Sequence, residues 1–271
     1  MKPRIGIMQG RLVKREIKSR LQSFPWKNWI KEINLLKELN INNFEWTIDY
    51  KKFDSNPLIK RPLKVLQIIK KKKLILNSIT ADFFMQKPPF KKNPKTTKYL
   101  LKLINILNKM EINYLIIPLV DNSSVKDYKY RNFIINYFNN ISDKIQIKKL
   151  KILFEFDLSP KKIINFMRQL SKHYGINYDT GNSSYYGYNF SEEKKYFSKV
   201  YNIHIKDRNK YGNSVKLGNG LVNFEKFFKY LKKIKYTRNL ILQTYISKNN
   251  NVANETLRNY KFIQSFYEKK K

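Results

Sequence analysis

Polar side chains that close short apolar runs recur along the 271-residue sequence. Glu45 follows Phe44, Glu155 follows Ile152-Leu153-Phe154, Asp179 follows Ile176-Asn177-Tyr178, His204 follows Asn202-Ile203, and Gln243 follows Leu240-Ile241-Leu242. With Glu45 set aside, the set is two carboxylates, one imidazole and one amide. Such an oxygen-rich set suits a divalent cofactor ion, Mn²⁺ or Mg²⁺ foremost, with Co²⁺ or Zn²⁺ also within its range. A carboxylate inside Phe154-Glu155-Phe156 is costly to bury alone, so Glu155 needs a metal or a basic partner. A structural salt bridge would satisfy the same requirement. His204, taken singly, reads as a hydrogen-bonded structural imidazole; its company makes it a ligand candidate. His173 is placed at a helix end, where an imidazolium suits the dipole.

The segment His204-Ile205-Lys206-Asp207-Arg208 begins with a strand's alternation, which puts His204, Lys206 and Arg208 on one side. Lys206 and Arg208 are therefore candidates to hold an anionic group of a substrate, with a basic surface loop as the alternative. Downstream, Leu217-Gly218-Asn219-Gly220 offers glycine-flanked amides before a helix, either for a phosphate or as a tight turn.

These residues need elements that bring them together. Short β-type runs are predicted at Ile5–Met8, Asn43–Trp46, Leu74–Ile79, Tyr114–Leu119, Ile152–Phe156, Ile176–Tyr178, Tyr201–Ile205 and Leu240–Thr244. Between them lie amphipathic stretches. Trp26, Ile30, Ile33, Leu36 and Leu39 share one helical face, as do Tyr99, Leu103, Ile106 and Met110, and Phe224, Phe227, Phe228 and Leu231. Ser159-Pro160 marks a helix start, and a last helix runs from about Asn254 to Tyr267. Eight β–α units in one chain of this length predict an α/β fold, a single (β/α)8 TIM barrel spanning residues 1–271, with its site at the strands' C-terminal ends. A doubly wound sheet is disfavoured, because Met8-Gln9-Gly10-Arg11 lacks the dinucleotide-binding glycines.

The chain carries 56 Lys and Arg against 20 Asp and Glu, a formal charge of +36. Such a field attracts nucleic acid, anionic lipid or phosphorylated small molecules. The abundance of Lys, Ile, Asn, Tyr and Phe, all with A/T-rich codons, gives a simpler account, and the lysines fall mostly on solvated helix faces. There are no cysteines, which excludes disulfides and thiolate metal sites and agrees with a reducing cytoplasm. The start of the chain has no apolar stretch of signal-peptide length, and no run reaches the length of a membrane span. A cytoplasmic protein is expected, and the composition is compatible with a homo-oligomer.

The blocks Ile5–Leu12, Ser78–Met85, Ile117–Ser124, Asn177–Asn182, His204–Arg208 and Leu217–Gly220 resemble the xylose-isomerase-like barrel superfamily, above all its sugar phosphate isomerase/epimerase branch. The resemblance covers nearly the whole chain. It implies a divalent metal held by Glu155, Asp179 and His204, with Gln243 where the family normally has a glutamate. It also places Asn182 where a histidine is common. The family's epimerases pair the carboxylates of strands five and eight as acid and base, and an amide at 243 breaks that pair. The resemblance implies a metal-dependent isomerase or epimerase of a sugar or sugar phosphate, moving a proton next to a carbonyl through an enediolate. Glu155 is the expected base, Glu45 and Asp82 are further acid–base candidates, and Lys206, Arg208, Asn182 and Asp82 would bind substrate. Two alternatives remain: a degenerate barrel that binds a sugar without catalysis, and an apurinic-endonuclease-like enzyme acting on DNA. The second is disfavoured, since its multi-zinc centre needs many histidines and this chain has two.

Overall fold

The computed structural model describes residues 2–16, 22–144, 149–246 and 251–268. Eight parallel strands close into a barrel: β1 (Arg4–Met8), β2 (Asn43–Thr47), β3 (Ile75–Thr80), β4 (Tyr114–Leu119), β5 (Lys151–Phe156), β6 (Tyr174–Asp179), β7 (Val200–Ile205) and β8 (Asn239–Leu242). Each strand pairs with its sequence neighbour, and β8 closes on β1 through Arg4↔Asn239 to Ile7↔Leu242. The main helices cover the outside: α1 (Trp29–Glu38), α2 (Pro62–Lys71), α3 (Pro94–Lys109), α4 (Tyr128–Lys144), α5 (Pro160–Arg168), α7 (Phe224–Lys233) and α8 (Val252–Ser265), while the short α6 (Thr180–Tyr185) caps the C-terminal end of β6. Among the described residues no helix is long and apolar enough to cross a membrane.

Each predicted strand is present, and the ends differ informatively. β6 starts at Tyr174, so His173 lies in the turn entering that strand, five residues beyond the end of α5 at Arg168. β8 stops at Leu242, which leaves Gln243 and Thr244 in the loop above the barrel. The expected face of α1 is also corrected. The helix begins at Trp29, Ile33 and Leu36 are buried, and Ile30 is 42% exposed. In α7 the four predicted residues Phe224, Phe227, Phe228 and Leu231 are all buried, worth about 1.5–3 kcal/mol each. Ser159-Pro160 does start α5, through proline in its first turn rather than through a side-chain cap.

Two irregularities in the barrel matter for the site. The register slips between Phe44 and Glu45 against β3, and between Ile176 and Asn177 against β7. Such bulges re-aim side chains near functional sites, and here they sit beside two members of a buried polar network.

Candidate active site

Polar residues in the barrel interior form one connected cluster. Asn177 Nδ2 lies 2.9 Å from Glu155 Oε2 and 3.0 Å from His204 Nδ1, and His204 Nδ1 lies 3.0 Å from Glu155 Oε2. The other ring nitrogen, Nε2, is 2.8 Å from Glu45 Oε1. Thr80 donates to Glu45 Oε1 at 2.6 Å, and Asn202 donates to Glu45 Oε2 at 3.1 Å. Burial alone would lower the His204 pKa, but Glu45 and Glu155 outweigh it and lift the imidazole to about 10. Burial would raise Glu45, and the charge and hydrogen bond of His204 reverse that and hold it below the ordinary glutamate value. As it stands, the site is an imidazolium clamped between two carboxylates.

Asp179 is shaped by its place at the end of β6. Its Oδ1 caps α6, accepting from the Asn182 amide at 2.7 Å, while Asn182 Nδ2 donates to Glu155 Oε1 at 3.1 Å. The second oxygen, Oδ2, is buried and accepts no hydrogen bond among the described residues, and Lys206 Nζ forms an ion pair with it at 3.2 Å. Burial would raise this carboxyl too, but Lys206, Arg208 and His204 prevail and keep it low.

Ligand atoms of Glu155, Asp179 and His204 all lie within 4.8 Å of one another, the one such group of His, Asp and Glu among the described residues. The donor set fits a divalent ion. Among the described residues Asp179 Oδ2 accepts no hydrogen bond and is met by the Lys206 ammonium, Gln243 Oε1 is buried without a partner, and His204 Nδ1 is oriented by the Glu45 carboxylate on its far nitrogen. A three-metal, histidine-rich centre is not assembled among the described residues, since this group contains one histidine.

Above the cluster, at the strands' C-terminal ends, lies a cavity of about 490 Å³. Of the residues singled out in the sequence, Glu155, Asp82, Asn182, Lys206, Arg208 and Gln243 line it. His204, Asp179 and Glu45 are buried and are not part of that lining. Glu45 is 0% exposed and bonded through both oxygens, so it faces His204 rather than the cavity. Asp82 does face the cavity. Thr47 donates to its Oδ2 at 2.6 Å, and burial, reinforced by Asp49, pushes its pKa up to about 7.

The glycine-flanked turn has a different use from phosphate binding. The Asp207 carboxylate accepts from the amides of Gly218 at 3.0 Å, Gly220 at 2.9 Å and Val222 at 3.1 Å. Those amides are consumed in fixing the loop behind Arg208. A Cβ at Gly220 would stand 2.2 Å from Asp207 Oδ1 and 2.5 Å from the Arg208 carbonyl, which is why glycine is required there.

Sequence reasoning missed Asn177, Asn202 and Thr80. A signal was present: an asparagine stands two residues before Glu45, Asp179 and His204 alike, on the same face of each strand. It also missed Glu32 of α1, whose carboxylate accepts from the amides of Gly10 and Leu12 at 2.8–2.9 Å and shapes the loop carrying Arg11.

A family model described as xylose isomerase-like TIM barrel matches residues 33–265. Comparison with curated proteins finds no match by sequence. Among solved structures, similarity extends to the IolI protein with a bound zinc atom (13% identity, TM-score 0.74, 96% of each chain covered). It extends also to 3-keto-D-glucoside 4-epimerase YcjR from E. coli (14%, 0.71, 97% of this chain and 100% of that one). A third is D-psicose 3-epimerase from Clostridium cellulolyticum H10, with D-tagatose (10%, 0.72, 98% and 100%).

Proposed function

The chain belongs to the xylose isomerase-like TIM barrel family, and from that premise we propose that it is a sugar isomerase or epimerase that moves a proton next to a carbonyl. The observation that carries this reading is the Glu155–Asp179–His204 group placed directly beneath a polar cavity, with Glu155 shared between the two. The neighbours named as sugar epimerases support the substrate class.

Glu155, Asp179 and His204 would hold a divalent ion, Mn²⁺ or Mg²⁺ by the chemistry of the donor set, with the Gln243 amide oxygen as a fourth donor. When bound, the ion supplies Lewis acidity to a carbonyl and its neighbouring hydroxyl. Glu155 takes and returns the carbon-bound proton, and an enediolate of the substrate lies between the two transfers. Asn177 and Asn182 fix the Glu155 oxygens by donating to one each. Asp82, raised to about 7, retains part of its proton at neutral pH and can lend it to a substrate oxygen. It therefore takes the second acid–base role that an amide at 243 cannot perform. Glu45 acts through His204 as a positioning residue.

The test is hydrogen exchange. Protein loaded with Mn²⁺ is incubated with a panel of ketoses and aldoses in D₂O, and loss of the C–H signal next to the carbonyl is followed by NMR. Wild-type protein is expected to exchange that hydrogen in at least one sugar, and Glu155→Gln is expected to remain folded and not exchange it. A second reading, sugar binding without turnover, is favoured by Gln243 and Asn182. Saturable sugar binding with no exchange in any member of the panel would establish it instead.

A further inference from the structure

The charges lining the cavity are segregated. Arg15 follows β1, and Lys206 and Arg208 follow β7; with β8 between them these strands form one continuous arc of the barrel. Asp82, Asp121 and Glu155 follow or end β3, β4 and β5, which form the facing arc. On the cationic side two cavity-lining donors have no hydrogen-bond partner among the described residues. Arg208 Nε and the Thr244 hydroxyl are both buried without a hydrogen bond, and Thr244 is 3% exposed. An arginine donor and a hydroxyl left unsatisfied in a polar cavity call for a ligand that accepts from both. The Asp207 network fixes the loop behind Arg208, and the Arg208 guanidinium rests over the Tyr185 ring at 5.7 Å, so the donor is held in place beforehand.

We infer that this chain takes an anionic sugar, whose phosphate or carboxylate is held over the β7–β8–β1 arc by Arg208, Thr244, Lys206 and Arg15 while the neutral polyol end lies toward Asp82 and Glu155. This rests on the proposed sugar chemistry and sharpens it. The sugars named with its structural neighbours, a 3-keto-D-glucoside and D-tagatose, carry no such group. A planar guanidinium with a neighbouring hydroxyl matches either oxyanion, and further cations add charge where the barrel interior is shielded from solvent.

The test is calorimetric titration with three ligands that share one skeleton: D-glucose, D-glucose 6-phosphate and D-glucuronate. At least one anionic member is expected to bind about tenfold or more tightly than D-glucose, the effect of one charged hydrogen bond. The stronger of the two anions identifies which oxyanion is recognised. Arg208→Ala and Thr244→Val are expected to erase most of that preference, bringing the affinity for the anionic ligand close to that for D-glucose, and Arg208→Lys should restore part of it. Repeating the titration in high salt separates the site from the +36 field, because surface attraction is screened and a buried contact is screened much less. Equal affinity for the three ligands, or a preference that survives Arg208→Ala, would overturn the inference. Exchange of neutral sugars with no anionic preference would remove this inference and leave the proposed function standing. Anionic preference without any hydrogen exchange would do the reverse.

Discussion

Glu45→Gln separates a positioning carboxylate from a catalytic one. Glu45 Oε1 receives Thr80 and His204, and Oε2 receives Asn202, so every group facing the carboxylate is a donor. A glutamine keeps one acceptor and brings an NH₂ group toward donors whichever way the amide is turned. The charge partner of a His204 imidazolium inside a fully buried site is lost at the same time. Removing one member of a buried ion pair costs roughly 3–5 kcal/mol. At about 2–4 °C per kcal/mol for a domain of similar size, the melting temperature of the metal-free protein should fall by roughly 6–12 °C even at the lower cost. Loss of the outer carboxylate that orients a metal-bound histidine should also weaken Mn²⁺ binding by about 10–100-fold. Thermal melts with and without Mn²⁺, together with a Mn²⁺ titration, read both effects. If Glu45→Gln abolished hydrogen exchange while melting within about 2 °C of wild type and binding Mn²⁺ unchanged, Glu45 would be a proton-transfer group and this assignment would be wrong.

Two further outcomes follow from the same geometry. His204 is lifted from 6.5 to about 10, so its contribution to the metal-free fold is fully present below about pH 6.5 and is lost as pH rises through about 10. The stability difference between wild type and His204→Asn, followed by urea melts, should shrink across that window; a difference constant from pH 7 to 10.5 would contradict it. Gly220→Ala drives a Cβ into Asp207 Oδ1 and the Arg208 carbonyl, so denaturant melts should show a loss of about 2–4 kcal/mol from overpacking and strained Asp207 hydrogen bonds. A change within about 0.5 kcal/mol would mean that the loop behind Arg208 yields freely.

The barrel was legible because its strands are short apolar runs of similar length and its helices show a 3.6-residue period, both of them local signals. Glu155, Asp179, His204 and Gln243 were legible as residues that close equivalent runs. What each side chain faces was not. Glu45 has the same local appearance as Glu155, and only the closure of the barrel sets it against His204. The glycine turn reads as either a phosphate site or a tight turn, because spacing alone does not reveal that the Asp207 carboxylate, 11 residues before Gly218 and 13 before Gly220, already occupies the amides. Thr244 and Arg15 carry no local signal, since their importance comes from barrel closure, which sets β8 beside both β1 and β7.

The proposed proton chemistry depends on one divalent ion shared by Glu155, Asp179 and His204. The direct measurement is anomalous diffraction from a crystal soaked in Mn²⁺. A single strong peak is expected at coordination distance, about 2.0–2.3 Å, from a Glu155 oxygen, Asp179 Oδ2 and His204 Nδ1, with Glu45 still on His204 Nε2. A crystal with no peak among these three residues, with Lys206 Nζ still paired to Asp179, would contradict the account.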